Sequence, residues 1–414
     1  MPDFHRPDVQ TLQRARLRAL QEERLRALIT RIIEQPIAYF RDLLTEAAIG
    51  SDDIKGIDDL PKVPRTTKDG LRASEAASPP LGTYRGAPIE RCVRLSTSTG
   101  TTGRPTIALF TAHDLEVEYD AAGRMFARQG YAPGEIITHA HPAGLNGGAA
   151  LLGGAIEAYG CVNIAVGPPA TDADAERAIR LWQEIRPHRY EMFGPALLRF
   201  WEAAKRIGVD PDELGMPEPA DLPPHRTASA GLECFAFLGS ACEHARGAHV
   251  CEDEAIVEAV DPASGEPVPD GERGSLVVTT LTKDNAMLRY DLEDLVRIEP
   301  DACPCGETHG RLFWDGRLKD VVRVGDRDLL PMDVQLILTP IVEVSRPALE
   351  FQLVRTADTS TLRVRAEAHV PGVSLAEGVK RALTQGLGVP VELELLESGA
   401  LPRPAYKPAR VVDE

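Results

Sequence analysis

Residues 96–106 read STSTGTTGRPT and lie between two short β-like runs, Cys92–Leu95 and Ile107–Phe110. Gly100 and Gly103 permit positive φ angles and close backbone approach, while Ser96, Thr97, Ser98, Thr99, Thr101 and Thr102 offer hydroxyl donors. Successive backbone N–H groups and hydroxyls make a concavity suited to a polyphosphate, and Arg104 adds positive charge. By composition alone a plain surface turn fits as well. The stretch lacks the Gly-Lys-Ser/Thr of a Walker A loop and is not GxGxxG.

The surroundings of this loop constrain the fold. From Arg91 to about Gly167, β-like runs (CVRLS, TIALF, IITHA, VNIAV) alternate with helical segments such as His113–Arg128, which predicts α/β layers and largely parallel sheets. Upstream, Leu17, Leu20, Leu25, Leu28, Ile29 and Ile32 recur at helical spacing, so Val9–Ile33 reads as an amphipathic packing helix. Ile57–Leu71 reads as an ordered connector, Thr171–Ile185 and Pro195–Ile207 as helices, and Met216–Pro224 as a proline-rich loop. Beyond Ala255 the texture turns to strands and turns. The last hundred residues alternate strands with a helix at Ser374–Leu387. The expected fold is α/β: a large multi-layer N-terminal domain, residues 1–316, followed by a small, mobile α+β domain, residues 317–414. The boundary falls at Gly316–Lys319.

Composition removes several classes. Against 46 Lys and Arg stand 63 Asp and Glu, a net charge of −17, which disfavours a nucleic-acid or membrane-surface binder. Met1–Gln35 is charged throughout, and the most apolar stretch, Gly144–Gly167, is broken by Asn146, Glu157, Asn163 and several glycines, so neither a signal peptide nor a membrane span is expected. Seven cysteines in 414 residues without a secretion signal read as thiols or metal ligands of a cytoplasmic protein.

Five segments in order resemble the phenylacetate-CoA ligase-like branch of the adenylate-forming enzymes. SxGTTGxP is similar to that family's phosphate loop and IDDLPKVPRTTKDGLR to its N-terminal signature. VDPASGEPVPDGERGSLVVTTLTKDNAMLRYDLEDLVRI resembles its long β segment, CPCGETHGRLFWDGRLKD its interdomain stretch, and LPRPAYKPARVV its C-terminal lysine motif. The resemblance implies that a carboxylate attacks ATP, with Mg²⁺ as counter-ion, and that the acyl-adenylate passes to coenzyme A. It further implies that Ser98, Thr99, Gly100, Thr101, Thr102 and Gly103 cradle the β- and γ-phosphates and that Asp294 accepts both ribose hydroxyls. Arg317 would reach the ribose or phosphate, and Lys407 would bridge the carboxylate and the α-phosphate. Lys407 could then leave the site by rotation of the small domain about Leu318–Lys319–Asp320.

Cys303-Pro-Cys305 is a tight thiolate pair, and Cys242 and His249 lie upstream in ACEHARGAHVCED. Four such ligands from two loops suit tetrahedral Zn²⁺, and the resemblance implies a structural zinc there, with His244 and Cys251 as rival ligands. Two departures stand out. In the aromatic-Gly-x-x-Glu motif Leu238 replaces the aromatic, and Cys242 stands where the Mg²⁺-binding acid belongs. The adenine loop is also reduced to Gly215–Pro219. His139, His141, Asn146 and Gly147 fall where the family lines its acyl pocket, implying a small acid in a polar pocket. The leading function is ligation of a small aromatic carboxylic acid to coenzyme A. The alternatives are transfer to an amine or carrier-protein thiol, and a non-adenylating ligand-binding homologue. A homodimer is compatible with each.

Overall fold

The structure is a computed structural model. It describes residues 4–34, 37–97, 105–145, 147–221, 227–229, 231, 233–244, 246–402 and 409–414. The elements used below, in chain order, begin with helices α1 (Arg14–Glu34), α2 (Ala38–Glu46) and α3 (Lys68–Ala77). Next come β1 (Cys92–Thr97), β2 (Ile107–Thr111), α4 (Ala112–Arg128), β3 (Ile136–His139), α5 (Gly148–Ala158), β4 (Val162–Ala165), α6 (Asp172–Ile185), β5 (Arg189–Glu191) and α7 (Gly194–Arg206). Strands β6 (Thr227–Ala228), β7 (Gly239–Ser240), β8 (Ala248–Val250), β9 (Ala255–Val260), β10 (Gly274–Thr280), β11 (Tyr290–Glu299) and β12 (Arg311–Arg317) follow. The chain ends with β13 (Val322–Val324), β14 (Arg327–Leu329), α8 (Pro331–Leu338), β15 (Phe351–Arg355), β16 (Leu362–Ala368), α9 (Val373–Leu387), β17 (Val391–Glu397) and β18 (Val411–Asp413).

One compact unit comprises Met1–Gly134, Ala143–Cys161 and His225–Trp314. Its centre is a seven-stranded sheet in the order β6-β7-β8-β12-β11-β10-β9. Every pair in it with a described register is antiparallel. This corrects the expectation of mostly parallel sheets. Parallel neighbours need a crossover of a dozen or more residues, usually a helix. Here Asp261–Arg273 and Leu281–Arg289 return the chain without one. Helix α1 covers the sheet with Leu25, Leu28, Ile29 and Ile32, which join Phe40 and Leu44 of α2 and Val250, Ile256, Leu276 and Val278 of the strands in one core. Each such buried side chain is worth about 1.5–3 kcal/mol over exposure. Strands β1 and β2 pair antiparallel beside this sheet. Helix α4 then starts in a capping box, with the Thr111 hydroxyl accepting from Asp114 N at 3.1 Å and the Asp114 carboxylate from Thr111 N at 2.9 Å.

The proline-rich connector at 57–67 is stitched to the first turn of β11. Thr66 N donates to Arg289 O at 2.8 Å and Asp291 N to Thr66 O at 2.9 Å. Arg289, at φ 44°, buries its guanidinium and donates to Glu258 at 2.9 and 3.0 Å and to the carbonyls of Val63 and Pro61. Arg65 closes the seam on Asp291 at 2.7 Å. An apparently loose signature is thus held by buried charge.

The second unit comprises Glu135–Pro142, Val162–Pro224 and Asp315–Glu414. Its parallel sheet has the order β4-β3-β5, as the β-α-β texture of that stretch predicts. Trp182, Ile179, Leu197 and Phe200 from α6 and α7 form the adjoining core. Residues 315–414 build a four-stranded mixed sheet, β17-β16-β15-β18, backed by α8 and α9. Val379, Leu383 and Leu387 give α9 its buried stripe, and Gly388 at φ 66° ends it. No described helix is long and apolar enough to cross a membrane.

Replacing Arg289 by Ala leaves Glu258 buried and uncompensated. We expect urea denaturation to show a loss of about 3–5 kcal/mol; a loss under 1 kcal/mol would remove this seam from the account.

Candidate active site and cysteine–histidine centre

The ladder between β1 and β2 pairs Ser96 with Ala108 and Thr97 with Ile107, so the chain leaves and re-enters the pair at matched positions. The segment Ser98, Thr99, Gly100, Thr101, Thr102, Gly103 lies outside the described residues, as do Asn146 and Lys407. Thr97 donates through N at 2.7 Å and Oγ1 at 3.3 Å to Leu145 O. Gly147 follows closely at φ 56°, a left-handed position that favours glycine, and caps α5. Across from β2, Glu75 of α3 accepts from Ile107 N at 3.3 Å and from the Tyr84 hydroxyl at 2.7 Å.

Asp294 sits half-buried on β11, accepting from the indole N–H of Trp314 at 3.2 Å. The neighbouring Asp291 is consumed structurally, with one oxygen on Arg65 and the other accepting from Ser275 Oγ at 2.7 Å. In the second unit, Arg317 ends β12 exposed, after Gly316 at φ 151°. A Cβ on Gly316 would come within 3.0 Å of the Leu330 side chain.

His139 and His141 mark the carboxyl end of β3, the central strand of the parallel sheet. The chain passes from β3 to β4 on one side and later to β5 on the other, a strand-order reversal of the kind that opens a ligand crevice at strand ends. His141 packs 4.9 Å from the Phe193 ring and 5.9 Å from His139. His139 is fully buried. Burial pushes its imidazole below the ordinary range, with the Asn163 side chain acting weakly the other way, so the ring is neutral at pH 7.

Cys242, His249, Cys303 and Cys305 converge, with all four ligand atoms within 4.8 Å of one another, every residue buried. Sheet register does this: β8 pairs His249 with Ser240 of β7 on one side and with Arg311 of β12 on the other, and the Cys303–Cys305 loop joins β11 to β12. Cys242 Sγ lies 3.7 Å from Cys303 Sγ, and Cys305 Sγ lies 3.4 Å from His249 Nε2. Tetrahedral Zn²⁺ with Zn–S of about 2.3 Å and Zn–N of about 2.0 Å has S···S and S···N edges of about 3.8 and 3.5 Å, so the donor set fits. His249 Nδ1 is 3.1 Å from His309 O, the second-shell contact that turns Nε2 toward the sulfurs. The hydrogen bond from Cys305 holds the Cys242 thiol well below its usual range, against burial, and pushes Cys305 up. The rivals fall away: Cys251 is buried elsewhere and its thiol pushed up to about 12 by burial, and His244 is outside the cluster, 3.8 Å from Glu243.

One feature escaped the sequence. Arg128 at the end of α4 buries an ion pair with Glu307, just beyond Cys305, and donates to Ser240 Oγ at 3.0 Å. Burial alone would raise the Glu307 carboxyl; Arg128 outweighs it and lowers it. Leu238 is fully buried in the core, so it presents no platform for a base, and Cys242 at the acid's place is a member of the thiol cluster.

No family model matches the chain. In fold it is similar to a 2-hydroxyisobutyryl-CoA ligase in the postadenylation state, in complex with 2-HIB-AMP, which superposes with a TM-score of 0.88 at 22% identity, covering 99% of this chain and 92% of that one. A phenylacetate-coenzyme A ligase from Thermus thermophilus is 32% identical, over 97% of each chain, and one from Aromatoleum evansii is 26% identical over 98% of this chain and 97% of its own. The chain belongs to the phenylacetate-coenzyme A ligase family.

Because the unfolded chain protonates His139 near pH 6.5 and the folded one resists, stability should be complete above that pH and fall as pH drops through it. We expect His139→Leu to flatten urea-derived stability between pH 7 and 5 by up to about 1.4 kcal/mol per pH unit; an unchanged slope would show that the folded ring takes up the proton.

Proposed function

We propose that this chain ligates a small aromatic carboxylic acid to coenzyme A through an acyl-adenylate. In the first step a carboxylate oxygen bonds the α-phosphorus of ATP and pyrophosphate departs. In the second a thiolate sulfur bonds the acyl carbon and AMP departs. The observation that carries this reading is the near-end-to-end 32% identity with a phenylacetate-coenzyme A ligase. Both steps gather charge on phosphoryl oxygens, so positioned donors supply most of the rate.

In this reading Ser98–Gly103 hold the β- and γ-phosphates, and Asp294 takes the ribose hydroxyls with Trp314 fixing one of its oxygens. Arg317 reaches the ribose or phosphate. Mg²⁺, when bound, would supply counter-charge to the triphosphate; Cys242 stands at the usual acid's place, and Glu243 is the nearby carboxylate in the sequence. Residues 317–414 form the small mobile domain, and Lys407 bridges the carboxylate and α-phosphate, then withdraws for thiol attack. His141, Asn146 and Gly147, where the family lines its acyl pocket, receive the acid, and their polar character suits a compact one. Cys242, His249, Cys303 and Cys305 bind structural Zn²⁺; four protein ligands leave no open position for chemistry.

Carboxylate-dependent exchange of labelled pyrophosphate into ATP tests adenylation over a panel of aromatic acids, phenylacetate included. Exchange is expected with at least one; its absence from every acid favours the non-adenylating reading, which the burial of Leu238 supports. Product analysis with coenzyme A, amines and carrier protein identifies the acceptor. Lys407→Ala should cut exchange by about 100-fold or more while sparing thiolation of a supplied acyl-adenylate; equal loss of both half-reactions contradicts its role. Elemental analysis should find one zinc per chain, largely lost in Cys303→Ser together with several degrees of melting temperature. Metal-free protein of full stability would remove the zinc centre.

A further inference from the structure

Strand β11 does not run evenly against β10. The register goes from Gly274–Val296 and Ser275–Leu295 directly to Val277–Asp291 and Val278–Tyr290, so Leu292, Glu293 and Asp294 together stand opposite the single residue Leu276. A bulge of this kind breaks the ladder, bends the strand and re-aims the side chains within it. Asp294 is the residue that takes the ribose in the reading above. Glu293, next to it, has φ 58°, in the left-handed region where non-glycine residues are uncommon.

What the bulge does for Asp294 follows from alternation. Along an uninterrupted strand, side chains two apart share a face. Leu292 is buried in the core of the first unit, so Asp294 would follow it inward, where a carboxylate is costly without a cation beside it. With the alternation broken at Glu293, Leu292 and Leu295 are both buried, while Glu293 is exposed and Asp294 half-buried, accepting from Trp314. Three contacts close the bulge. Glu293 N donates to Asp291 Oδ1 at 2.9 Å, the same oxygen that accepts from Ser275 Oγ, and Arg65 fixes the other oxygen. Lys68, in the first turn of α3, donates to Leu292 O at 3.0 Å. These contacts do not involve the Glu293 carboxylate, which lies 4.0 Å from Lys68 Nζ on a side chain 60% exposed. A left-handed non-glycine residue persists only where its surroundings over-determine it, and such residues gather at functional sites.

We propose that Glu293 is a positioning residue for the nucleotide: its left-handed backbone, closed by Asp291, turns the Asp294 carboxylate away from the core and toward the ribose hydroxyls. The proposal rests on the ligase reading above and adds to it the conformation on which the ribose contact depends. The effect resides in the backbone. A residue that adopts positive φ readily therefore serves in place of Glu293, and a β-branched one does not. Asn is of the first kind and Val of the second. Both remove the carboxylate, so charge drops out of the comparison between them.

The test is calorimetric binding of ATP and of 2′,3′-dideoxy-ATP, which lacks both ribose hydroxyls, to the full chain with Mg²⁺ and no carboxylic acid. Wild type is expected to bind ATP about tenfold tighter or more, as hydrogen bonds to a charged acceptor provide. Glu293→Asn should keep that ratio to within about threefold, and Glu293→Val should bring it near one, as Asp294→Ala does. A general loss of folded protein weakens both nucleotides alike and leaves the ratio, so the ratio reports the aim of Asp294 and not stability. Should Glu293→Val not fold, Glu293→Ala, which also disfavours positive φ, takes its place. A ratio unchanged in Glu293→Val beside one lost in Asp294→Ala overturns the proposal and leaves the ligase reading standing. Equal loss in Glu293→Asn and Glu293→Val does the same, because it puts the effect in the carboxylate. A wild-type ratio near one, or one that Asp294→Ala leaves intact, removes Asp294 from the ribose and the proposal with it. No binding of ATP contradicts the ligase reading itself.

Discussion

Charge burial organises this protein. Arg289, Arg124 and Arg128 each place a guanidinium out of water, and each can be tolerated only with a carboxylate and further acceptors around it. Those partners come from distant parts of the sequence. Arg289 joins the connector at 57–67 to the sheet, Arg124 joins α4 to the turn after β8, and Arg128 joins α4 to the loop of Cys303 and Cys305. An arrangement that broke one of these pairs would strand a charge, so the seven-stranded sheet, its covering helix and the thiol cluster are specified together.

The consequence for chemistry is a division of labour. The antiparallel sheet sets register, and register sets the thiol–imidazole cluster: a one-residue slip of β8 would turn His249 away from the sulfurs. The parallel sheet instead offers its strand ends, where His141 and Phe193 meet beside the buried, neutral His139. Asp294 is half-buried and accepts from Trp314, whereas Asp291 three residues earlier on the same strand is engaged by Arg65 and Ser275. The chain's departure at Leu238 and Cys242 also gains a physical account. The first is core and the second is a member of the thiol–imidazole cluster.

Much of this was legible in the residues. The helical spacing of Leu25, Leu28, Ile29 and Ile32 located α1, and the Cys303-Pro-Cys305 pair pointed to a thiol cluster, because both depend on local chemistry. The direction of the strands was legible only in part. The runs CVRLS and TIALF have the same texture whether neighbours run parallel or antiparallel, whereas the Gly, Pro and Asp cluster between AIVEAV and SLVVTT is hairpin-connector chemistry, and β9 and β10 do pair antiparallel. The choice of His249 and Cys242 over His244 and Cys251 also needed the register of β8. The pairing of Arg128 with Glu307 spans residues far apart in the chain, and no spacing rule could reveal it.

The central claim is that the chain couples ATP to a carboxylate through a mixed anhydride. The most direct measurement is mass spectrometry of the protein-bound species after mixing with ATP, Mg²⁺ and acid, with coenzyme A withheld. The account predicts an acyl-AMP accumulating to about one per chain with matching pyrophosphate, then vanishing into thioester and AMP when coenzyme A is added. Release of ADP and phosphate instead, or acid and nucleotide recovered intact, would contradict it.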